Sequence, residues 1–111
     1  MAQPLFDGRS PVSSPLADLI DIVPNAIVSK PILDTPQFKQ ILFAMAPGQE
    51  ISRHQAPFLA TVHILEGSIQ INAGDKQYTM TCGHWLLMPP NLPHQLTNAK
   101  SVKFLLTLIK T

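Results

Sequence analysis

The chain predicts an antiparallel all-β sandwich or barrel, and three observations carry the prediction. Eleven prolines stand against five glycines in 111 residues, which disfavours long helices. From Phe38 onward, short apolar runs alternate with turn residues at the close spacing of strands. Within one run, Ser68-Ile69-Gln70-Ile71-Asn72, polar and apolar residues alternate with period two, so Ile69 and Ile71 face a core and their neighbours face water. The length suits a single domain with one core and is too short for two.

The elements follow in order. Six of the prolines, at 4, 11, 15, 24, 31 and 36, crowd the first 36 residues together with Gly8, Ser13 and Ser14. This stretch reads as an extended arm with one short turn around Leu16 to Ile22, and we assign residues 1–24 to the arm and 25–111 to the barrel. The strand runs are then Ile41–Ala46, closed by Pro47-Gly48; Leu59–Leu65, closed by Glu66-Gly67; and Ser68–Asn72, closed by Gly74-Asp75. Lys76–Thr81, closed by Gly83, Trp85–Met88, closed by Pro89-Pro90-Asn91, and His94–Thr97, closed by Asn98, complete the series before Val102–Ile109. That last run is apolar on both faces, so either the arm or a second subunit must cover the one that its own core does not.

Composition excludes several function classes. A chain that is 45% hydrophobic and 14% charged is not disordered, and a net charge of +1 gives no general attraction for nucleic acid or an anionic membrane. The uncharged stretch Trp85 to Ala99 is broken by Pro89, Pro90 and Pro93 and is no membrane helix. MAQPLFDGRS has neither a basic start nor a continuous apolar run, so a soluble cytoplasmic protein is expected. Cys82 is the only cysteine, which leaves no internal disulfide or thiolate cluster. Its place in the alternation Tyr78, Met80, Cys82 reads as a small buried hydrophobe.

Chemistry then falls to the four histidines, 54, 63, 84 and 94. After Phe38 the only carboxylates are Glu50, Glu66 and Asp75, each beside a glycine-marked turn, so there is no buried acid pair. No serine occupies a strand-to-helix elbow, and no glycine-rich loop is present to cradle phosphate.

The histidines sit in a spacing pattern. Gly83-x5-Pro89-x-Asn91-x2-His94-x3-Asn98 resembles the second motif of the cupin superfamily, with asparagine in place of the usual central glycine. That change is mild, because asparagine is the next-best residue for a positive-φ turn. Gly48-x5-His54 followed by Gly67 has the frame of the first cupin motif. The resemblance spans roughly Ile41 to Ile109 and implies a compact single-domain, RmlC-like jelly-roll barrel, or double-stranded β-helix, behind a proline-rich N-terminal arm.

In metal-bearing cupins three histidines and one glutamate converge on a divalent transition metal. Carried over residue by residue, His54 and His94 keep two of these positions, whereas Ala56 and Ala60 stand at the other two. Two neutral imidazoles without a carboxylate are a poor cage, so the resemblance implies either no metal or a weakly held one. Counting in steps of two from Ala60 turns Val62 and Ile64 inward and His63 outward. Only a bulge between Ala60 and His63 would reverse that. His84 reads as a solvent-facing residue at a strand start, and Trp85 as outward, toward a dimer contact.

A histidine inside an apolar barrel is costly unless hydrogen-bonded, and two together lower each other's proton affinity. We therefore expect His54 and His94 to contact a small-molecule ligand, with Met88, Leu96, Val62, Ile64 and Tyr78 as further lining. Along the His94 strand, Leu96 and Asn98 share its face. Two enzymatic alternatives remain open at the level of sequence. One is a metal-dependent dioxygenase or isomerase on a non-standard two-histidine site. The other is a metal-free acid–base enzyme of the sugar-epimerase type, pairing a histidine with Tyr78. A homodimer, made by sheet packing or arm exchange, is expected from the apolar last strand, the proline-rich arm and the outward Trp85 and His63.

Overall fold

The computed structural model describes residues 3–110. Eight strands make up the fold: β1 (Ile27–Asp34), β2 (Phe38–Met45), β3 (Gln49–His54), β4 (Leu59–Ala73), β5 (Lys76–Thr81), β6 (Trp85–Met88), β7 (His94–Asn98) and β8 (Val102–Ile109). All pairings are antiparallel, as expected. One layer runs β1-β2-β8-β4-β6 and the other β3-β7-β4-β5, so β4 belongs to both.

Glu66-Gly67 was expected to be a turn between two strands, yet it lies inside the single long β4. The reason is a bulge between Ile64 and Glu66 in the pairing with β8. The inward residues are Ala60, Val62 and Ile64 before it and Ile69, Ile71 and Ala73 after it. An extra residue is the only way to keep both sets facing the core of a strand with period two. Gly67 makes the bend feasible: it has φ +81°, and a Cβ there would come within 2.0 Å of the Ser101 carbonyl oxygen.

Two strands were absent from the sequence-based expectation. β1 contains Pro31, which reads as a strand breaker, but β1 is an edge strand and its register shifts between Pro31 and Leu33. A proline is tolerated at such a place because its missing N–H interrupts no central ladder. β3, Gln49-Glu50-Ile51-Ser52-Arg53-His54, has too few apolar residues to signal a strand, and it forms through backbone pairing with β7.

Two cores result. Met45, Val62, Ile64, Ile71, Met80, Leu96 and Phe104 fill the space between the layers, with Phe43 stacked on Phe104 at 5.0 Å. The second core lies outside the barrel wall, where Leu42 and Ala44, on the opposite side of β2, are sealed by Ile20, Phe6, Leu16 and Leu19 of the N-terminal segment. This segment holds one 3-10 turn, Leu16–Leu19. Lys30 Nζ donates to the Leu19 carbonyl at 2.7 Å and Lys103 Nζ to the Ala17 carbonyl at 2.8 Å, pinning the turn to the sheet. The Leu5 and Phe6 N–H groups donate to carbonyls of β1, covering part of that edge. Of the two coverings considered for the outer face of β8, the N-terminal segment packs on Leu105.

Candidate functional site

The site lies at one end of the barrel, where β3 finishes opposite the start of β7. Regular alternation from inward-packed Ile51 would turn His54 outward. A second register irregularity, between Ile51 and His54, brings His54 directly opposite His94 instead. The two rings meet edge to face with centroids 4.3 Å apart.

Each ring is anchored in the same way. His54 Nδ1 lies 2.8 Å from the Ser52 carbonyl oxygen and His94 Nδ1 lies 2.9 Å from that of Leu92. A carbonyl can only accept, so Nδ1 carries the proton in both rings, and an imidazole with its proton there has a bare lone pair at Nε2 in its neutral form. Burial holds the His94 imidazole below its ordinary proton affinity; the bond to Leu92 opposes this, and neighbouring His54 and Arg53 reinforce it. Among the described residues no protein group bonds either Nε2.

The histidines border two small hollows that share His54, Met88, His94 and Leu106 as walls. One, of about 140 Å³, is completed by Ala56, Phe58, Ala60, Pro89, Leu92 and Leu108. The other, of about 120 Å³, reaches into the core past Phe43, Ile51, Val62, Leu96 and Phe104. The loop after β6 is held over this end by Asn91, whose N–H donates to the Ala56 carbonyl at 2.7 Å. Asn91 has φ +66°, the conformation that the usual glycine of this motif would supply.

Of the residues expected around the ligand, His54, His94, Met88, Leu96 and Val62 converge here. Ile64 is inward and buried, but it lies in the core beyond the hollows. Tyr78 is a correction: it is 37% exposed on β5, the edge strand of its layer, and lines neither hollow. This removes its proposed pairing with a histidine for acid–base work. Cys82 is also corrected, because β5 ends at Thr81 and the alternation ends with it. The thiol is exposed and donates to the Leu65 carbonyl at 3.2 Å.

His63 stays on the outer face, since the bulge in β4 falls after it rather than before it. His84 is exposed, with Nδ1 accepting from the Thr81 N–H at 2.9 Å. Asn98 shares the His94 strand but is saturated. Its Nδ2 lies within 2.8 Å of the Ala46 and Lys100 carbonyls, and its Oδ1 accepts from the Gln49 N–H at 3.1 Å.

Sequence reasoning missed Phe58, Leu92 and Leu106, and also the bulge that aims His54. Leu106 alone had a signal, the inward alternation of β8. A larger groove of about 510 Å³ crosses the outer face of the second layer over Glu50, Thr97, Gln70 and Thr79. These are register partners across four strands, and solvated side chains of this kind are what an outer sheet face ordinarily carries.

A cupin metal centre does not fit these residues. Ala56 and Ala60 line the hollow beside His54 and His94, so the positions at which the family supplies a third imidazole and a carboxylate carry methyl groups. No cluster of three or more metal-ligating side chains occurs among the described residues. Two imidazole nitrogens leave a divalent ion short of both donors and charge.

Comparison with known proteins agrees with the fold. The chain superposes on a conserved protein of unknown function from Streptococcus pyogenes at 24% identity, over 100% of this chain and 96% of the other, with a TM-score of 0.84. A cupin superfamily protein from Desulfitobacterium hafniense matches at 22% identity over 100% and 99% of the two chains, again with a TM-score of 0.84. A Cupin 2 conserved barrel domain protein from Leptotrichia buccalis matches at 26% identity over 85% of this chain and 46% of the other, with a TM-score of 0.81. No curated protein matches the chain. The cupin domain model covers residues 41–109, from β2 through β8 and across both motif frames, and the chain therefore belongs to the cupin family.

Proposed function

We propose that this cupin binds a small molecule at the open end of its barrel through His54 and His94, without the family's usual metal centre. One observation carries the reading: two imidazoles, each fixed by a backbone carbonyl, border an apolar hollow with their Nε2 atoms unpaired by protein. A half-buried histidine such as His94, kept only for packing, would satisfy both nitrogens, whereas His54 is exposed and also reaches water. The apolar walls with a few convergent polar atoms have the usual character of a small-molecule site.

A thermal-shift screen of small polar and aromatic compounds tests this, run on the wild type and on His54→Ala and His94→Ala. Stabilising compounds are expected to lose their effect in both variants. A shift that survives both changes places the binding elsewhere and ends this reading.

The same proposal includes a homodimer. Trp85 and Leu87 are 60% and 46% exposed on β6, the edge strand of the first layer, and form an apolar face that the N-terminal segment does not reach. A monomer mass by light scattering at micromolar concentration would refute it. No helix among the described residues is long and apolar enough to cross a membrane. A single cysteine suits the reducing cytoplasm as the compartment.

A further inference from the structure

The walls of the two hollows also restrict what the ligand is, an inference that rests on the binding reading above. Apart from the imidazoles, the linings contain Ala, Phe, Met, Pro, Leu, Ile and Val, with no lysine, arginine, carboxylate, hydroxyl or amide side chain. Because both Nδ1–H groups are committed to carbonyls, the only polar side-chain atoms these walls leave for a ligand are two acceptors.

A carboxylate or phosphate brings acceptors to acceptors. Pairing with the rings would require them to be protonated, which sets two like charges 4.3 Å apart in an apolar mouth, and Arg53, whose charge reaches His94, lines neither hollow and donates to the Gly74 carbonyl. An ammonium group finds no carboxylate in the walls to balance its charge. A hydrocarbon leaves the half-buried His94 Nε2 without a donor. Volume sets the size: hollows of about 140 and 120 Å³ are well below the range of drug-sized pockets and accommodate a single ring.

We infer that the ligand is an uncharged, hydroxyl-bearing molecule of about one ring, an alcohol or phenol, whose O–H donates to Nε2 of His94 while its apolar body fills the hollow between Met88, Leu106 and Phe58. His54, the more exposed ring, takes a second donor or water. No proton is transferred and no bond is made or broken.

Calorimetric titration of the full chain tests this with four single-ring probes, phenol, toluene, benzoate and benzylammonium, each with and without a chelator. Phenol is expected to bind about tenfold more tightly than the other three, consistent with a hydrogen bond gained in a desolvated site. The chelator should not change this, and His94→Ala should abolish the preference more completely than His54→Ala. Should His94→Ala fail to give a folded circular-dichroism spectrum, His94→Phe, which keeps a ring but has no acceptor, serves, and the same loss is expected.

Benzoate or benzylammonium binding as tightly as phenol, or toluene matching it, overturns the ligand class. If such binding still depends on His54 and His94, the site itself stands. Phenol binding that is unchanged in both histidine variants overturns the site as well, and phenol binding that disappears with chelator shows a metal-borne ligand and overturns the inference. Absence of binding by all four probes also overturns it.

Discussion

The two ends of this barrel treat their polar side chains in opposite ways, burying one and leaving the others partly open. At the end where β2 turns into β3 and β7 into β8, Asn98 spends its amide on the Ala46 and Lys100 carbonyls and on the Gln49 N–H. The Gly48 N–H adds a bond to its backbone carbonyl. Gly67 lets the Ser101 carbonyl approach where no side chain would fit. At the other end, four residues earlier on β7, His94 and its partner His54 use one nitrogen each for anchorage and leave the other unpaired by protein beside a hollow. Saturation marks the closed end as a clip that sets strand register. Half-saturation leaves the open end with two ring nitrogens that no protein group pairs, among the described residues.

The contrast predicts where substitutions cost stability and where they cost binding. Gly67→Ala should be the most damaging: a positive φ and a backbone clash together cost about 3 kcal/mol or more, read as a fall in denaturant midpoint or loss of soluble protein. Asn98→Ala strips several buried partners at once and should cost about 2–3 kcal/mol by urea unfolding. By comparison, His54→Ala at the open end should stay within about 1 kcal/mol of the wild type, because that ring is exposed. Equal losses at Asn98 and His54 would erase the distinction between the ends.

A gain-of-function variant probes the open end alone. Ala56→His with Ala60→Glu returns donors to the two positions that line the hollow beside the histidines. Without metal, burying the new carboxylate should destabilise the fold by about 1–3 kcal/mol. Added divalent transition metal should restore the melting temperature and raise the bound content to about one ion per chain. Metal content unchanged from the wild type would show that these alanines do not occupy the ligand positions.

The smallest effect is in pH. Burial holds His94 below its ordinary value of 6.5, so the unfolded chain takes up this proton before the folded chain does. The contribution is present above 6.5 and is lost as pH falls from 6.5 through the lower folded value. His94→Gln should make the melting temperature less sensitive over that acid range. A steeper dependence in the variant would contradict the assignment.

How much could be read in advance depended on regularity. The barrel, the inward Val62, Met88 and Leu96 and the outward His63 and Trp85 followed from period-two alternation, which holds wherever strands are unbroken. The parts that were not readable are the irregular ones. Two bulges, after Ile64 and after Ile51, are invisible to alternation, so Glu66-Gly67 resembled a turn and nothing in the sequence explained how His54 comes to face His94. Tyr78 lies on the edge strand of its layer, where parity alone does not bring a residue to the hollow. The identity of the facing pair came from motif spacing, whereas their shared tautomer required the Ser52 and Leu92 carbonyls to be seen.

The central claim is that the open end offers two unpaired Nε2 acceptors to a ligand, and imidazole nitrogen NMR of the 15N-labelled protein tests it directly. In the free protein at pH above 7, both His54 and His94 should show the Nδ1–H tautomer, with Nε2 at the shift of a bare acceptor. On titration with phenol, the Nε2 signal of His94 should move saturably toward that of a hydrogen-bonded acceptor while its Nδ1 stays in place. An Nε2–H tautomer in the free protein, or Nε2 signals that ignore every added ligand, would contradict the account.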